Sequence, residues 1–193
     1  MSQTSGTDFK DGWWRGATPH PSPHAEPRLN PAKIDQIVIH AISLPAGEFG
    51  GRHIHALFAN TLDCDLHPAF AELRGLRVSA HFLLDRAGHI TQFVSIDQRA
   101  WHAGVSSFGG RGACNTRSIG VELEGSDSAP FELAQYVSLG VLLVALGRRH
   151  PSIRAARIVG HADIASTRKT DPGPHFDWIR CRRDFIRGML SSV

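Results

Sequence analysis

Two histidines and one aspartate are the residues of this 193-residue chain whose types and surroundings first suggest chemistry. Twelve histidines is a high count for this length, so most are ordinary and the question is which are not. His40 follows Ile37-Val38-Ile39 and His161 follows Ile158-Val159-Gly160, each at the end of a run suited to a buried strand. A strand end beside a loop is a place where a rigid scaffold can aim a side chain into a cleft. Either histidine alone reads as a satisfied core or edge residue. Asp171 changes that reading, because it sits in the stiff turn Asp171-Pro172-Gly173-Pro174, and the following proline biases it to extended backbone. Two neutral imidazoles and one carboxylate make a three-ligand zinc site with the fourth position open to water, whose pKa falls to about 7 in such sites. Lys169 stands just before this turn. The segment Ser118-Ile119-Gly120-Val121-Glu122-Leu123-Glu124 adds two carboxylates at period two, hence on one face of a strand. Glu122, flanked by Val121 and Leu123, reads as facing a cleft, where a carboxylate can pass a proton from water to a leaving amine.

These groups need elements to position them. Residues 36–40 predict a buried strand, 54–60 a helix, and 78–84 and 89–95 a hairpin closed by the turn Asp85-Arg86-Ala87-Gly88. A Gly/Ser-rich loop over 104–112 precedes a strand over 118–123. Residues 131–149 predict the clearest helix, from Phe131, Leu133 or Ala134, Val137, Val141, Val144 and Ala145 at three- and four-residue steps, with Pro151 beyond its end. A short strand over 158–161 and an amphipathic helix over 176–190 close the chain. Strands interspersed with helices predict an α/β layer structure with a mixed sheet. Residues 1–35, with Pro19, Pro21, Pro23, Pro27 and Pro31, read as an extended N-terminal arm packing on a domain of residues 36–193.

Composition bounds the function classes. Hydrophobic residues at 41% and charged residues at 20% suit a globular protein, and no apolar run approaches the roughly 20 residues of a membrane span. The net charge, 21 − 18 = +3, is too small and too dispersed for a nucleic-acid binder. Arg180, Arg182, Arg183 and Arg187 read as a solvated helix face. Cys64, Cys114 and Cys181 lie far apart and read as reduced thiols. The polar start lacks the features of a secretory signal, so the expected location is the cytoplasm and the expected state a monomer with no membrane or nucleic-acid partner.

Six segments carry a resemblance. Ile39-His40, then Ser43-Leu44-Pro45 with Gly47-Glu48-Phe49-Gly50-Gly51, then Leu76-Arg77-Val78-Ser79-Ala80-His81 come first. Arg99-Ala100-Trp101-His102-Ala103-Gly104-Val105-Ser106, Ile119-Gly120-Val121-Glu122-Leu123-Glu124-Gly125 and Arg168-Lys169-Thr170-Asp171-Pro172-Gly173-Pro174 follow. In this order, across about residues 12–178, they resemble the AmpD-type N-acetylmuramoyl-L-alanine amidases. The resemblance implies a single α/β domain, a central mixed β-sheet flanked by helices, of the kind shared with peptidoglycan recognition proteins. It also implies His40, His161 and Asp171 as ligands of Zn2+, Glu122 as the group that handles the water's proton, and Lys169 as the cation near the oxyanion. Trp101 and Arg77 match positions lining the substrate groove. Trp101 reads either as a sugar-stacking surface or as a loop anchor, and Arg77 as a partner for a stem-peptide carboxylate or for a surface anion. His81, His102 and His175 stand near motif residues and read either as outer partners of the metal site or as alternative ligands. The implied reaction is hydrolysis of the amide between the lactyl group of N-acetylmuramic acid and L-alanine, on anhydro-muropeptides recycled in the cytoplasm. Ala41, Ala69 and Ala113 depart from the family pattern. The rival reading is a non-catalytic peptidoglycan-fragment binder of the same fold; an ordinary zinc peptidase would carry a His-Glu-x-x-His helix, which is absent.

Overall fold

The computed structural model describes residues 8–29 and 33–191. Residues 8–29 carry four short strands. β1 (Phe9–Lys10) and β2 (Trp13–Trp14) form an antiparallel pair, while β3 (Thr18–Pro19) and β4 (Ala25–Pro27) each pair with a strand of the main body. Pro31 lies outside the described residues.

β5 (Gln36–Ile42) is the β-branched run, and it continues past His40, so that histidine is inside the strand rather than at its end. α1 (His53–Phe58) follows. β6 (Phe82–Leu84) and β7 (Ile90–Gln92) form the expected antiparallel hairpin, shorter than the sequence suggests. Gly88 takes φ +83° in its turn, a conformation glycine adopts without strain. β8 (Gln98–Ala100) pairs with β4, and the Gly/Ser-rich loop folds into a small hairpin of β9 (Ser107–Phe108) and β10 (Arg111–Gly112). β11 (Ser118–Glu124) is buried along its whole length. α2 (Leu133–Arg149), β12 (Ile158–Gly160), α3 (His161–Ile164) and α4 (Trp178–Leu190) complete the chain.

Six strands form the central sheet in the order β12-β5-β11-β6-β7-β3, parallel except where β6 meets β7. The two-residue period sorts its residues. Ile37 and Ile39, Ile119, Val121 and Leu123, Phe82 and Leu84 pack into the apolar core with Leu139, Leu142, Leu143 and Leu146 of α2 and Phe185 of α4. The alternate residues of β5 and β11 are His40 and Ile42 beside Ser118, Gly120, Glu122 and Glu124. That second face is covered by α1, whose Ile54, Leu57 and Phe58 cluster with Leu83 and Phe93.

The apolar steps through Leu133, Val137 and Val141 do mark a helix, but these residues are 61%, 58% and 56% exposed. α2 is apolar on more than one side, so its period identifies the helix without selecting the inward face. Packing on the sheet selects the stripe of Tyr136, Leu139, Leu142, Leu143 and Leu146 instead. A capping box between Glu132 and Gln135 starts the helix. Among the described residues no helix is long and apolar enough to cross a membrane.

Candidate metal centre and active site

Three segments deliver the ligand-type side chains to one point. β5 presents His40 from the polar face of the sheet. His161 is the first residue of α3, not the last of a strand, because the chain turns into the helix at Gly160. A Cβ at Gly160 would press on Pro172 and Trp178, so the absence of a side chain there lets the Asp171 turn close over β12. Ala162 N–H donates to the Asp171 carbonyl at 2.9 Å and fixes that return.

His40 Nδ1 lies 3.0 Å from His161 Nδ1, and the Asp171 Oδ2 lies 3.2 Å from each. An ion with tetrahedral bonds of about 2.0–2.1 Å spaces its ligands about 3.3 Å apart, so this triangle has the size of three corners of a zinc site. The donor set agrees. His161 Nε2 faces the Ala103 carbonyl at 3.4 Å, which can only accept, so its Nδ1 turns a lone pair toward His40 and Asp171. Lone pairs and a carboxylate oxygen packed this closely repel unless a cation sits among them. Among the described residues this is the one group of three with ligand geometry for a metal ion. Burial lowers the pKa of His40, which keeps its ring neutral and able to ligate.

A cleft of about 220 Å³ opens over this point, lined by Glu122, Lys169 and Trp101 on its chemical side and by Leu57, Phe58, Leu76 and Val78 on its apolar side. Glu122 is buried, and desolvation, with Asp171 as a neighbouring anion, raises its pKa well above the carboxylate range; Lys169 opposes the shift. The Lys169 side chain is exposed at the mouth. A larger cavity, about 680 Å³, lies along α1 and includes Glu124, but that carboxylate is already taken by the backbone N–H groups of Gly50 and Arg86. The convergent groups are in the smaller cleft.

The structure thus brings together His40, His161, Asp171, Glu122, Lys169 and Trp101. Trp101 is anchored as well as exposed to the cleft: its indole N–H donates to Glu26 at 2.6 Å and its ring stacks on His24. Arg77 is exposed, and its neighbours Leu76 and Val78 line the cleft while its own side chain does not. Ala41 is in the lining, Ala69 is exposed, and Ala113 takes a left-handed backbone at φ +55°. His175 is exposed. His81 is buried away from the ligands, accepting from Gly120 N–H at 3.0 Å. His102 is the group whose position the sequence leaves undefined: its Nδ1 sits 3.0 Å from His40 Nε2. Arg168, unremarked in the sequence beyond its motif, donates to the carbonyls of Ala103 and Val105 and so holds the loop that carries His102. Only the tertiary approach of that loop reveals either role.

Comparison with known proteins follows the same line. The family described as N-acetylmuramoyl-L-alanine amidase matches residues 30–174. The 1,6-anhydro-N-acetylmuramyl-L-alanine amidase AmpD of Escherichia coli (strain K12) is 52% identical over 174 residues, 90% of this chain and 94% of that protein. The crystal structure of a selenomethionine AmpD derivative matches with a TM-score of 0.88 at 50% identity, over 91% of this chain and 98% of that one. The amidase AmiD from E. coli, in complex with the substrate anhydro-N-acetylmuramic acid-L-Ala-D-gamma-Glu-L-Lys, matches with a TM-score of 0.59 at 30% identity, over 91% of this chain and 64% of that one. A family match across most of the sequence, and identity at half the positions with a relative of nearly equal span, lead to one assignment: the chain belongs to the N-acetylmuramoyl-L-alanine amidase family.

Proposed function

We propose that this amidase is zinc-dependent and hydrolyses the amide between the lactyl group of 1,6-anhydro-N-acetylmuramic acid and the L-alanine of a stem peptide, in cytoplasmic recycling of wall fragments. The observation that carries the reading is the triangle of His40 Nδ1, His161 Nδ1 and Asp171 Oδ2, with the buried carboxyl of Glu122 in the same cleft. Support for the substrate comes from the relatives: AmpD is named for 1,6-anhydro-N-acetylmuramyl-L-alanine, and AmiD was solved with an anhydro-muramyl tripeptide.

His40, His161 and Asp171 would hold the zinc. Bound there, zinc supplies a Lewis acid that lowers the pKa of water to about 7 and polarises a carbonyl. Glu122 accepts a proton from the attacking water as the new C–O bond forms. It then delivers that proton to the alanine nitrogen as the C–N bond breaks, leaving a lactyl carboxylic acid, which keeps the water's other proton until it ionises, and a free amine. Burial strengthens the hold of Glu122 on that proton, so the carboxyl can keep it between the two steps. Lys169 reaches in from the mouth to stabilise the tetrahedral oxyanion. The apolar wall of Leu57, Phe58, Leu76 and Val78 excludes water beside it, and Trp101, held by Glu26 and His24, offers a fixed ring face to the sugar. Arg77, exposed between two lining residues, is the guanidinium available to a stem-peptide carboxylate at the rim.

The test is mass spectrometry of the products formed from an anhydro-muramyl peptide by the zinc-loaded protein, with a chelator-treated control. Free stem peptide that disappears on chelation is the expected result. Intact substrate in both samples would sink the reading and favour a fragment-binding protein.

A further inference from the structure

Both ring nitrogens of His40 matter to its chemistry, and only one of them faces the proposed metal site. Its Nδ1 faces His161 and Asp171; its Nε2 faces His102 Nδ1 at 3.0 Å. Two neutral imidazoles can share that bond in either sense, so the pair alone leaves open which nitrogen of His40 carries the proton. The far side of His102 decides it. His102 Nε2 lies 3.2 Å from Ser118 Oγ, and the Ser118 hydroxyl donates to the Cys114 carbonyl at 2.7 Å. A carbonyl cannot donate. The single hydroxyl proton of Ser118 is therefore committed, and its oxygen can only accept from His102. His102 then carries its proton on Nε2 and offers the Nδ1 lone pair to His40.

We infer that the Cys114 carbonyl, Ser118 and His102 form a one-way hydrogen-bond relay that holds His40 as the Nε2–H tautomer, with its Nδ1 lone pair aimed at His161 and Asp171 before any metal arrives. Its functional consequence rests on His40 being a zinc ligand; its geometry does not. The surroundings are built to keep the relay in place. Ser118 and Gly120 lie on the same face of β11 as Glu122, and a Cβ at Gly120 would overlap the His102 ring. The Asn115 side-chain oxygen accepts from the N–H groups of His102 and Ala103 at 3.2 and 2.8 Å, which docks the loop against the strand. His102 and Ser118 are both buried, so water does not compete for these bonds. His102 and Ser118 are thus positioning residues, acting on the reaction through His40.

Long-range 1H–15N correlation spectra of metal-free protein with 15N-labelled histidine read the tautomer directly. The wild type should show His40 and His102 both protonated at Nε2 and unprotonated at Nδ1. Ser118→Ala should give mixed tautomers at both rings. In chelator competition, zinc affinity should fall about 10–100-fold in Ser118→Ala and His102→Ala, the usual effect of removing an outer partner of a metal-bound histidine. His102→Asn places an amide oxygen where Nδ1 was and should recover most of that loss. His40 protonated at Nδ1 in the wild type overturns the relay, and so does unchanged zinc affinity in both alanine variants. The wild-type spectrum decides the tautomer even if a variant fails to fold. A wild type that keeps the Nε2–H tautomer yet binds no zinc would defeat the metal-site reading and leave the relay standing.

Discussion

Glu122 and Lys169 share one cleft but differ in exposure, and that difference separates their contributions. In the proposed mechanism Glu122, buried with a raised pKa, is the group that changes protonation. Glu122→Gln should therefore cost roughly 10²–10⁴-fold in kcat, the usual weight of general acid–base catalysis, while the zinc content per chain stays constant. Near-full activity would remove Glu122 from the proton path. Lys169→Ala should lower kcat by about 10²–10³-fold, as loss of one oxyanion donor does; a change confined to KM would make it a binding residue. At this scale much was legible in the sequence. His40, His161 and Asp171 could be singled out together, because two imidazoles after buried apolar runs and a carboxylate in a proline-stiffened turn make a possible ligand set, although neither histidine stands at a strand end. His102 could not, because its meaning depends on a loop settling against Gly120, and nothing in the local sequence reports that approach.

Elements were legible where composition left one option. Ile37-Val38-Ile39 and Val121 with Leu123 could only be buried strand, and the hairpin was announced by its Asp85–Gly88 turn. α2 shows the limit. Its apolar residues occupy more than one stripe, and the exposed valines were as periodic as the buried leucines. The choice of face is measurable: Leu142→Ala removes a fully buried side chain and should cost about 2–5 kcal/mol of unfolding free energy. Val141→Ala, at the neighbouring position but 56% exposed, should stay within about 0.5 kcal/mol. Equal losses in denaturant unfolding would mean that the helix packs by the face its valines suggest.

Across the whole molecule, a buried cation adds to the pairings of β3 and β4 in holding the N-terminal segment to the body. Arg28 donates to the carbonyls of Ile96, Asn115 and Ser118 at 3.1, 3.1 and 2.7 Å, tying residues 8–29 to the loop and strand that carry the relay. Burial lowers its pKa to about 10, so it remains charged at neutral pH. Each buried acceptor left without a partner costs about 1–3 kcal/mol, so Arg28→Met should lower stability by several kcal/mol in denaturant melts. A loss below about 1 kcal/mol would mean that the segment is held elsewhere. Stability should also follow pH through His150, at the end of α2, where burial and then the neighbouring Arg149 bring its pKa to about 4. The unfolded chain binds this proton near 6.5 and the folded one near 4. Stability therefore declines as pH falls through that window and this contribution levels off below it. His150→Asn should flatten the dependence of Tm on pH between those values; an unchanged slope would assign it to other histidines.

The ligand triangle also constrains when metal can act during synthesis. His40 is 121 residues from His161 and 131 from Asp171 along the chain. A nascent chain that has not yet emitted its last ligand can offer zinc no complete site, whatever its earlier segments have done. Closing loops of that length is an entropic cost met late, by sheet pairing and core formation. Zinc bound at this triangle would be a lock on a finished fold and not a template for it. Chelation of the mature protein should accelerate unfolding while leaving the refolding rate of the metal-free chain little altered.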